Sequence, residues 1–274
     1  MADERDLVTG EPVTVGGVAL EERRLGHGSP LVYLHGEDGL LFSSPLLGSL
    51  AERFEVRAPV HPGWGRSERP KHLRTVEDLS YLYLDYLEAT LERPAPMVAA
   101  SFGAWLAAST ATKSTSLISA LVLICPVGIK VSDHQTRDFV DTYAIGHQEV
   151  DRAYYGDGPR PDLTALAPGD FEDLAQAQEA MARFGFKPYL HDPGLVHRLH
   201  RIDVPTLVLW GADDLFVQDP AAYAKAYGEA IGDNARTREL PGGHRLEEQA
   251  PAAVAEAVAD FLGASAPATT GAAR

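Results

Sequence analysis

The sequence predicts an α/β fold in which a mostly parallel, doubly wound sheet is interrupted by a helical insertion. Three observations lead there. Short runs rich in Val, Leu and Ile recur along the chain, each closed by Gly or Pro and followed by a longer stretch of helical periodicity, the rhythm of βαβ units. The internal runs are apolar on successive residues instead of alternating, which suits strands covered on both faces. From residue 129 to 201 the rhythm stops, leaving helical stretches between Gly/Pro-rich joints.

Taken in order, residues 13–25 supply an antiparallel pair. Strands follow over 30–34, 54–58, 97–100, 121–125, 206–210 and 237–240. Helices are expected over 45–53, 75–92, 102–112, 221–231 and 251–262. Thr75 with Asp78 three residues on makes a helix cap, and Pro251 suits a first helical turn. Inside the insertion, 133–145 and 171–184 read as helices. The division is therefore an α/β core of 1–128 and 202–263, with 129–201 as a helical cap over the carboxyl ends of the strands, where open α/β sheets bind ligands. Residues 264–274 hold Ala, Ser, Thr, Pro and Gly, and are expected to be a frayed tail.

Composition narrows the function classes. The 274 residues carry 24 Lys+Arg against 39 Asp+Glu, a formal net charge of -15, with 45% hydrophobic residues. That supports a large core and excludes general disorder. An acidic surface repels phosphate backbones and anionic lipid heads, and the basic residues lie scattered among acids, so neither nucleic acid nor membrane is an expected partner. No apolar stretch approaches the roughly 18 residues of a membrane helix, and the polar, acidic start carries no export signal. A cytoplasmic protein with a small-molecule partner is expected, and nothing excludes a homodimer. The one cysteine, Cys125, lies in an apolar run and reads as a buried, inert thiol.

The most informative segment is Met97-Val98-Ala99-Ala100-Ser101-Phe102-Gly103-Ala104-Trp105, where an apolar strand enters a serine flanked by small residues and then a helix former. That is the layout of a nucleophile elbow, G-x-S-x-G, with Ala99 at the first glycine. Other strands end on reactive groups as well. Leu31-Val32-Tyr33-Leu34 runs into His35-Gly36-Glu37-Asp38-Gly39, Leu207-Val208-Leu209-Trp210 into Gly211-Ala212-Asp213-Asp214, and Leu240 into Pro241-Gly242-Gly243-His244. Serine, acid and histidine in that chain order, each just past a strand, make the sequence resemble the α/β-hydrolase superfamily over about residues 12 to 262. His61-Pro62-Gly63-Trp64-Gly65-Arg66-Ser67 also resembles the family's P-G-x-G-x-S turn.

The resemblance implies roles residue by residue. Ser101 corresponds to the nucleophile and His244 to its base. Asp214 corresponds to the acid that orients the histidine, with the adjacent Asp213 as the alternative. The main-chain N–H groups of Phe102 and Glu37 correspond to an oxyanion hole, the Glu37 carboxylate facing solvent or a neighbouring donor. His35 and His61 read as loop-structuring residues. The histidines of the insertion (His134, His147, His191, His197 and His200) match no zinc spacing, so no metal or other cofactor is expected. Phe184, Phe186, Tyr189 and Trp105 are split between pocket lining and packing. Val60 departs from the acid common before the P-G-x-G-x-S turn, and the loop after His244 is about one residue short. A serine nucleophile removes the dehalogenase and epoxide hydrolase branches, which attack with aspartate. What the resemblance implies is a cofactor-free hydrolase of a carboxylic ester, thioester or lactone of a small to medium apolar substrate. The alternatives are a C–C bond hydrolase of a diketone or ring-cleavage product using the same triad, against which Arg245 after the histidine counts, and a non-catalytic binding protein on the same scaffold.

Overall fold

The computed structural model describes residues 12–133 and 135–265. A main sheet of seven strands runs β3 (Glu22–Leu25), β5 (Phe54–Pro59), β4 (Ser29–Leu34), β6 (Ala95–Ala100), β7 (Ile118–Ile124), β8 (Thr206–Gly211) and β9 (Ala235–Leu240). Only β3 is antiparallel to its neighbour. The antiparallel pair expected over 13–25 resolves into two features: β1 (Val13–Val15) and β2 (Val18–Leu20) form a separate ribbon, and β3 leaves it to edge the main sheet. Leu31 to Leu34, Val98 to Ala100 and Leu121 to Ile124 are buried throughout, as their continuous apolar pattern requires. The opposite edge, β9, exposes Arg236, Thr237, Arg238 and Glu239, a charged rim that discourages strand addition. Strand order reverses between β4 and β6, so a crevice opens at their carboxyl ends.

The core helices are α1 (Ser44–Ala51), α2 (Val76–Thr90), α3 (Ser101–Ala111), α6 (Pro220–Ile231), α7 (Leu246–Gln249) and α8 (Pro251–Ser265). The predicted cap of α2 is present: Thr75 Oγ1 accepts from Asp78 N at 3.0 Å, and Asp78 Oδ2 accepts from Thr75 N at 2.9 Å. Ala264 and Ser265 close α8 instead of opening the expected tail; residues 266–274 lie outside the described residues. No helix among the described residues is long and apolar enough to cross a membrane.

Between β7 and β8 the chain forms α4 (His147–Tyr155) and α5 (Pro168–Phe184). No helix forms among the described residues of 133–145, where one is expected, and α4 takes a stretch with no such expectation. The reason is local. Asp133 Oδ1 accepts from the N–H groups of Gln135 and Thr136, Asp138 from those of Val131 and Ser132, and Asp141 from that of Tyr143. These short-range bonds occupy donors a helix would need. The segment is instead held extended against the loop after β8, with Val140 N donating to Phe216 O and Gln218 N to Asp138 O, both at 2.9 Å.

The basic residues are also less scattered than the sequence suggests. Arg69, Lys71 and Arg74, which precede α2, meet Arg183 of α5 around a cavity of about 450 Å³. Arg183 is spent on the carbonyls of Leu73, Pro70 and Lys71, and Arg69 pairs with Glu179 at 2.7 Å.

Candidate active site

The site is assembled from turns at the carboxyl ends of β4, β6, β8 and β9. β6 passes straight into α3 at Ser101, whose φ of 45° is left-handed. For a residue with a Cβ this conformation costs roughly 1–3 kcal/mol and is held by its surroundings. Gly103 shows what holds it: a Cβ there would stand 2.3 Å from His35 O and 2.4 Å from Leu34 O. Only glycine lets the first turn of α3 press onto the end of β4. The same contact brings Ser101 and the N–H of Phe102, a first-turn donor without an intrahelical acceptor, beside the 35–39 loop.

A second close approach joins the other two turns. A Cβ on Gly211 would lie 2.2 Å from Gly243 O, so the loop after β8 sits directly against the loop after β9. There His244 Nδ1 meets Asp214 Oδ2 at 2.8 Å, and His244 Nε2 meets Ser101 Oγ at 2.8 Å. Asp214 accepts at its other oxygen from the N–H groups of Phe216 at 2.8 Å and Val217 at 3.1 Å, which fixes the carboxylate. Asp213 is exposed and turned away, so of the two candidate acids the structure brings Asp214 to the histidine. The His244 ring lies against Phe216, with centroids 4.5 Å apart, and against Tyr154 of α4 at 5.8 Å. Donation from Nδ1–H to Asp214 leaves Nε2 facing Ser101.

Glu37 is turned inward. Of the two expected surroundings, solvent or a neighbouring donor, its carboxylate has the second, and that donor is the nucleophile itself: the residue is 6% exposed, and Oε1 accepts from Ser101 Oγ at 2.5 Å. The cause is Arg245, itself 2% exposed, whose Nη1 lies 3.0 Å from Glu37 Oε2 and whose Nη2 donates to Asp38 Oδ2 at 2.6 Å. Its guanidinium also stacks 4.4 Å over the Tyr154 ring. Burial pushes the Glu37 pKa up, but the charge of Arg245, the His244 ring and the Ser101 hydroxyl outweigh it and hold the carboxyl below its ordinary range. The main chain of Glu37 is pinned by Trp64 Nε1, which donates to its carbonyl at 2.7 Å. Arg245 and the inward Glu37 carboxylate are the site residues that motif reading missed; the only signal was their adjacency to His244 and to His35-Gly36.

His35 and His61 form the floor behind this loop. His35 Nε2 accepts from His61 N at 2.9 Å, so Nδ1–H donates to Gly36 O at 2.7 Å; His61 Nε2 donates to His35 O at 3.0 Å and Nδ1 takes the Tyr83 hydroxyl. Burial lowers the His35 pKa to about 4 and pushes that of His61 well below its ordinary value, so both stay neutral scaffolding. The Cys125 thiol lies so close to Asp214 and His244 that their ligand atoms fall within 4.8 Å of one another. Burial and then the Asp214 charge push this thiol's pKa well up, which opposes the thiolate a metal would need. The described histidines of the insertion do not converge, and His134 lies outside the described residues. Phe184 packs flat on Trp64, with centroids 6.0 Å apart, and Trp105 packs on Phe102. Phe186, Tyr189 and His191 line a separate cavity of about 390 Å³ whose wall does not include Ser101.

The profile described as the alpha/beta hydrolase family matches residues 31–257. No curated protein matches the sequence. Among solved structures, a serine hydrolase involved in carbazole degradation superposes with a TM-score of 0.73 at 20% identity, covering 93% of this chain and 98% of that one. A meta-cleavage product hydrolase from Pseudomonas fluorescens IP01 gives 0.71 at 18% identity, covering 94% and 98%. The carboxylesterase CesB from Bacillus subtilis gives 0.73 at 18% identity, covering 94% and 93%. At such identities these likenesses speak to the fold alone.

Proposed function

Since the chain belongs to the alpha/beta hydrolase family, we propose that it is a serine hydrolase that cleaves a carboxylic ester, thioester or lactone through an acyl-enzyme. One observation carries the reading: an unbroken chain of contacts from Asp214 through His244 to Ser101, both steps at 2.8 Å, lies at the strand-order reversal.

In this reading the Ser101 Oγ–H proton passes to His244 Nε2 as Oγ bonds to the substrate's carbonyl carbon. The oxygen that becomes negative accepts from the N–H groups of Phe102 and Glu37. Losing one such donor commonly costs about 3 kcal/mol of transition-state stabilisation. The bond to the leaving alkoxide or thiolate then breaks as His244 returns the proton to it, leaving the acyl group on Ser101. Water attacks next, giving its proton to His244; the C–Oγ bond breaks and that proton returns to Ser101. Asp214 keeps Nδ1–H in place and stabilises the charged ring in both halves. The segment 129–201 acts as a cap: Tyr154 leans on the His244 ring, and its carbonyl accepts from His244 N at 2.8 Å. The substrate is a small molecule, and the setting cytoplasmic.

The test is a panel of p-nitrophenyl esters beside a vinylogous diketone, assayed with wild type and with Ser101→Ala. Ester turnover that Ser101→Ala abolishes, with ligand binding retained, supports the reading. Cleavage confined to the diketone would move the protein to C–C bond hydrolysis, and activity surviving in Ser101→Ala would remove Ser101 from the chemistry.

A further inference from the structure

The Ser101 hydroxyl carries one hydrogen and has two acceptors, His244 Nε2 at 2.8 Å and Glu37 Oε1 at 2.5 Å. A triad alone needs no such second acceptor, and a carboxylate beside the nucleophile opposes an oxyanion forming nearby. The cation beside it is shared. Arg245 is the one guanidinium for Glu37 at 3.0 Å, Asp38 at 2.6 Å and Glu248 at 4.0 Å. The contact to Glu37 is an ion pair without hydrogen-bond alignment, so the buried Glu37 Oε2 has the Arg245 charge beside it but no aligned donor. Buried polar atoms in folded proteins are nearly always partnered, and a carboxylate with one oxygen lacking an aligned donor and the other sharing the nucleophile's single hydrogen has acceptor capacity left for a donor that arrives with the ligand.

Resting on the serine hydrolase reading, we propose that Glu37 is the acyl-specificity residue of this enzyme, its carboxylate receiving an ammonium on the carbon next to the scissile carbonyl, so that the preferred acyl group is an α-amino acyl group. The geometry suits that position. A carbonyl carbon poised for attack stands about 3 to 3.5 Å from Oγ, and a substituent on the neighbouring carbon then lies within reach of an oxygen 2.5 Å from the same Oγ. Binding also changes the hydrogen bonding at the nucleophile. Once the ammonium donates to Glu37, the hydroxyl hydrogen of Ser101 is left to His244, the arrangement that attack requires. An acyl group with an added carboxylate meets the opposite situation, a second negative charge beside Glu37 and Asp38.

The test compares p-nitrophenyl esters of alanine, lactate and propionate, which differ only in bearing –NH3+, –OH or –H at that carbon, with the mono-p-nitrophenyl ester of succinate as the anionic case. Rates are corrected for spontaneous hydrolysis and measured on wild type and Glu37→Gln. The expected order of kcat/KM is alanyl, lactyl, propionyl, succinyl. Glu37→Gln is expected to shrink the alanyl-to-propionyl ratio by at least about tenfold, the scale of one lost charged hydrogen bond. A ratio near one in wild type, or one unchanged in Glu37→Gln, overturns the proposal while leaving the hydrolase reading intact. Should Glu37→Gln fold poorly, the wild-type ratio decides alone, supplemented by whether alanine amide competes with the propionyl ester more strongly than propionamide does. Failure of every ester, with no acylation of Ser101, overturns both.

Discussion

At Ser101 the outcome depends on two neighbours that motif reading weighs very differently. Asp214 was legible from G-x-x-D after a strand, and the structure selects it over Asp213 because only its side chain turns inward, caught by the N–H groups of Phe216 and Val217. Asp214→Asn is accordingly expected to lower kcat by roughly 10⁴-fold with the fold intact, since the amide cannot hold the same imidazole tautomer. Asp213→Asn is expected to act like wild type in the same assay. Glu37 and Arg245 were legible only as main-chain donor and motif departure. Their pairing links residues 208 apart in sequence, and nothing in local periodicity reports that a guanidinium folds back beneath a loop. Arg245→Ala is expected to destabilise the protein by about 3–5 kcal/mol in urea titration, the penalty for leaving buried carboxylates without their cation. A loss under about 1 kcal/mol would mean that Glu37 and Asp38 can turn to solvent.

At the scale of elements, strands ending in small residues were the readable part. β4, β6, β7 and β8 are each a largely apolar run closed by His-Gly, Ser, Cys-Pro or Gly-Ala-Asp, whereas the polar edge strand β9 is marked by the Pro-Gly-Gly that follows it. The two glycines that bring these ends together have no free volume: a Cβ at Gly103 or Gly211 would sit within 2.4 Å of backbone oxygens. Backbone cannot yield as a flexible side chain can, so Gly103→Ala and Gly211→Ala are each expected to cost more than the roughly 3 kcal/mol typical of overpacking, seen as loss of soluble protein or a lowered denaturation midpoint. The insertion was less readable. Its helical periodicity over 133–145 is real, but Asp133, Asp138 and Asp141 bond nearby N–H groups, and the extended pairing of Phe139 with Val217 won over helix propensity. Where short polar side chains recur every few residues, side chain to backbone bonding competes with the helix and periodicity alone misleads.

For the whole molecule, the charge of -15 read as solubility and an aversion to anionic partners. The fold concentrates part of that acidity around Arg245, where Glu37 and Glu247 are buried, Glu248 is nearly so and Asp38 is half-buried. Burial, reinforced by the charge of Glu248 at Glu247 and of Asp38 and Glu37 at Glu248, outweighs Arg245 and raises the pKa values of both above the ordinary 4.5. Folded protein therefore holds these protons more tightly than unfolded chain, and the stability they contribute is lost as pH rises from the ordinary carboxylate range through neutrality. Glu37 has the opposite sign: its lowered pKa contributes stability above the ordinary carboxylate value that is lost in acid. Unfolding free energy is thus expected to peak in mildly acidic solution, with Glu247→Gln flattening the alkaline limb; a limb unchanged in that variant would place the titration elsewhere. All of this arrangement surrounds one claim, that Ser101 is an activated nucleophile. The most direct measurement is fluorophosphonate labelling of the folded protein followed by peptide mass spectrometry. A single adduct on Ser101, absent in Ser101→Ala and strongly slowed in His244→Ala, is the predicted result; folded wild-type protein that takes no adduct at Ser101 would contradict it.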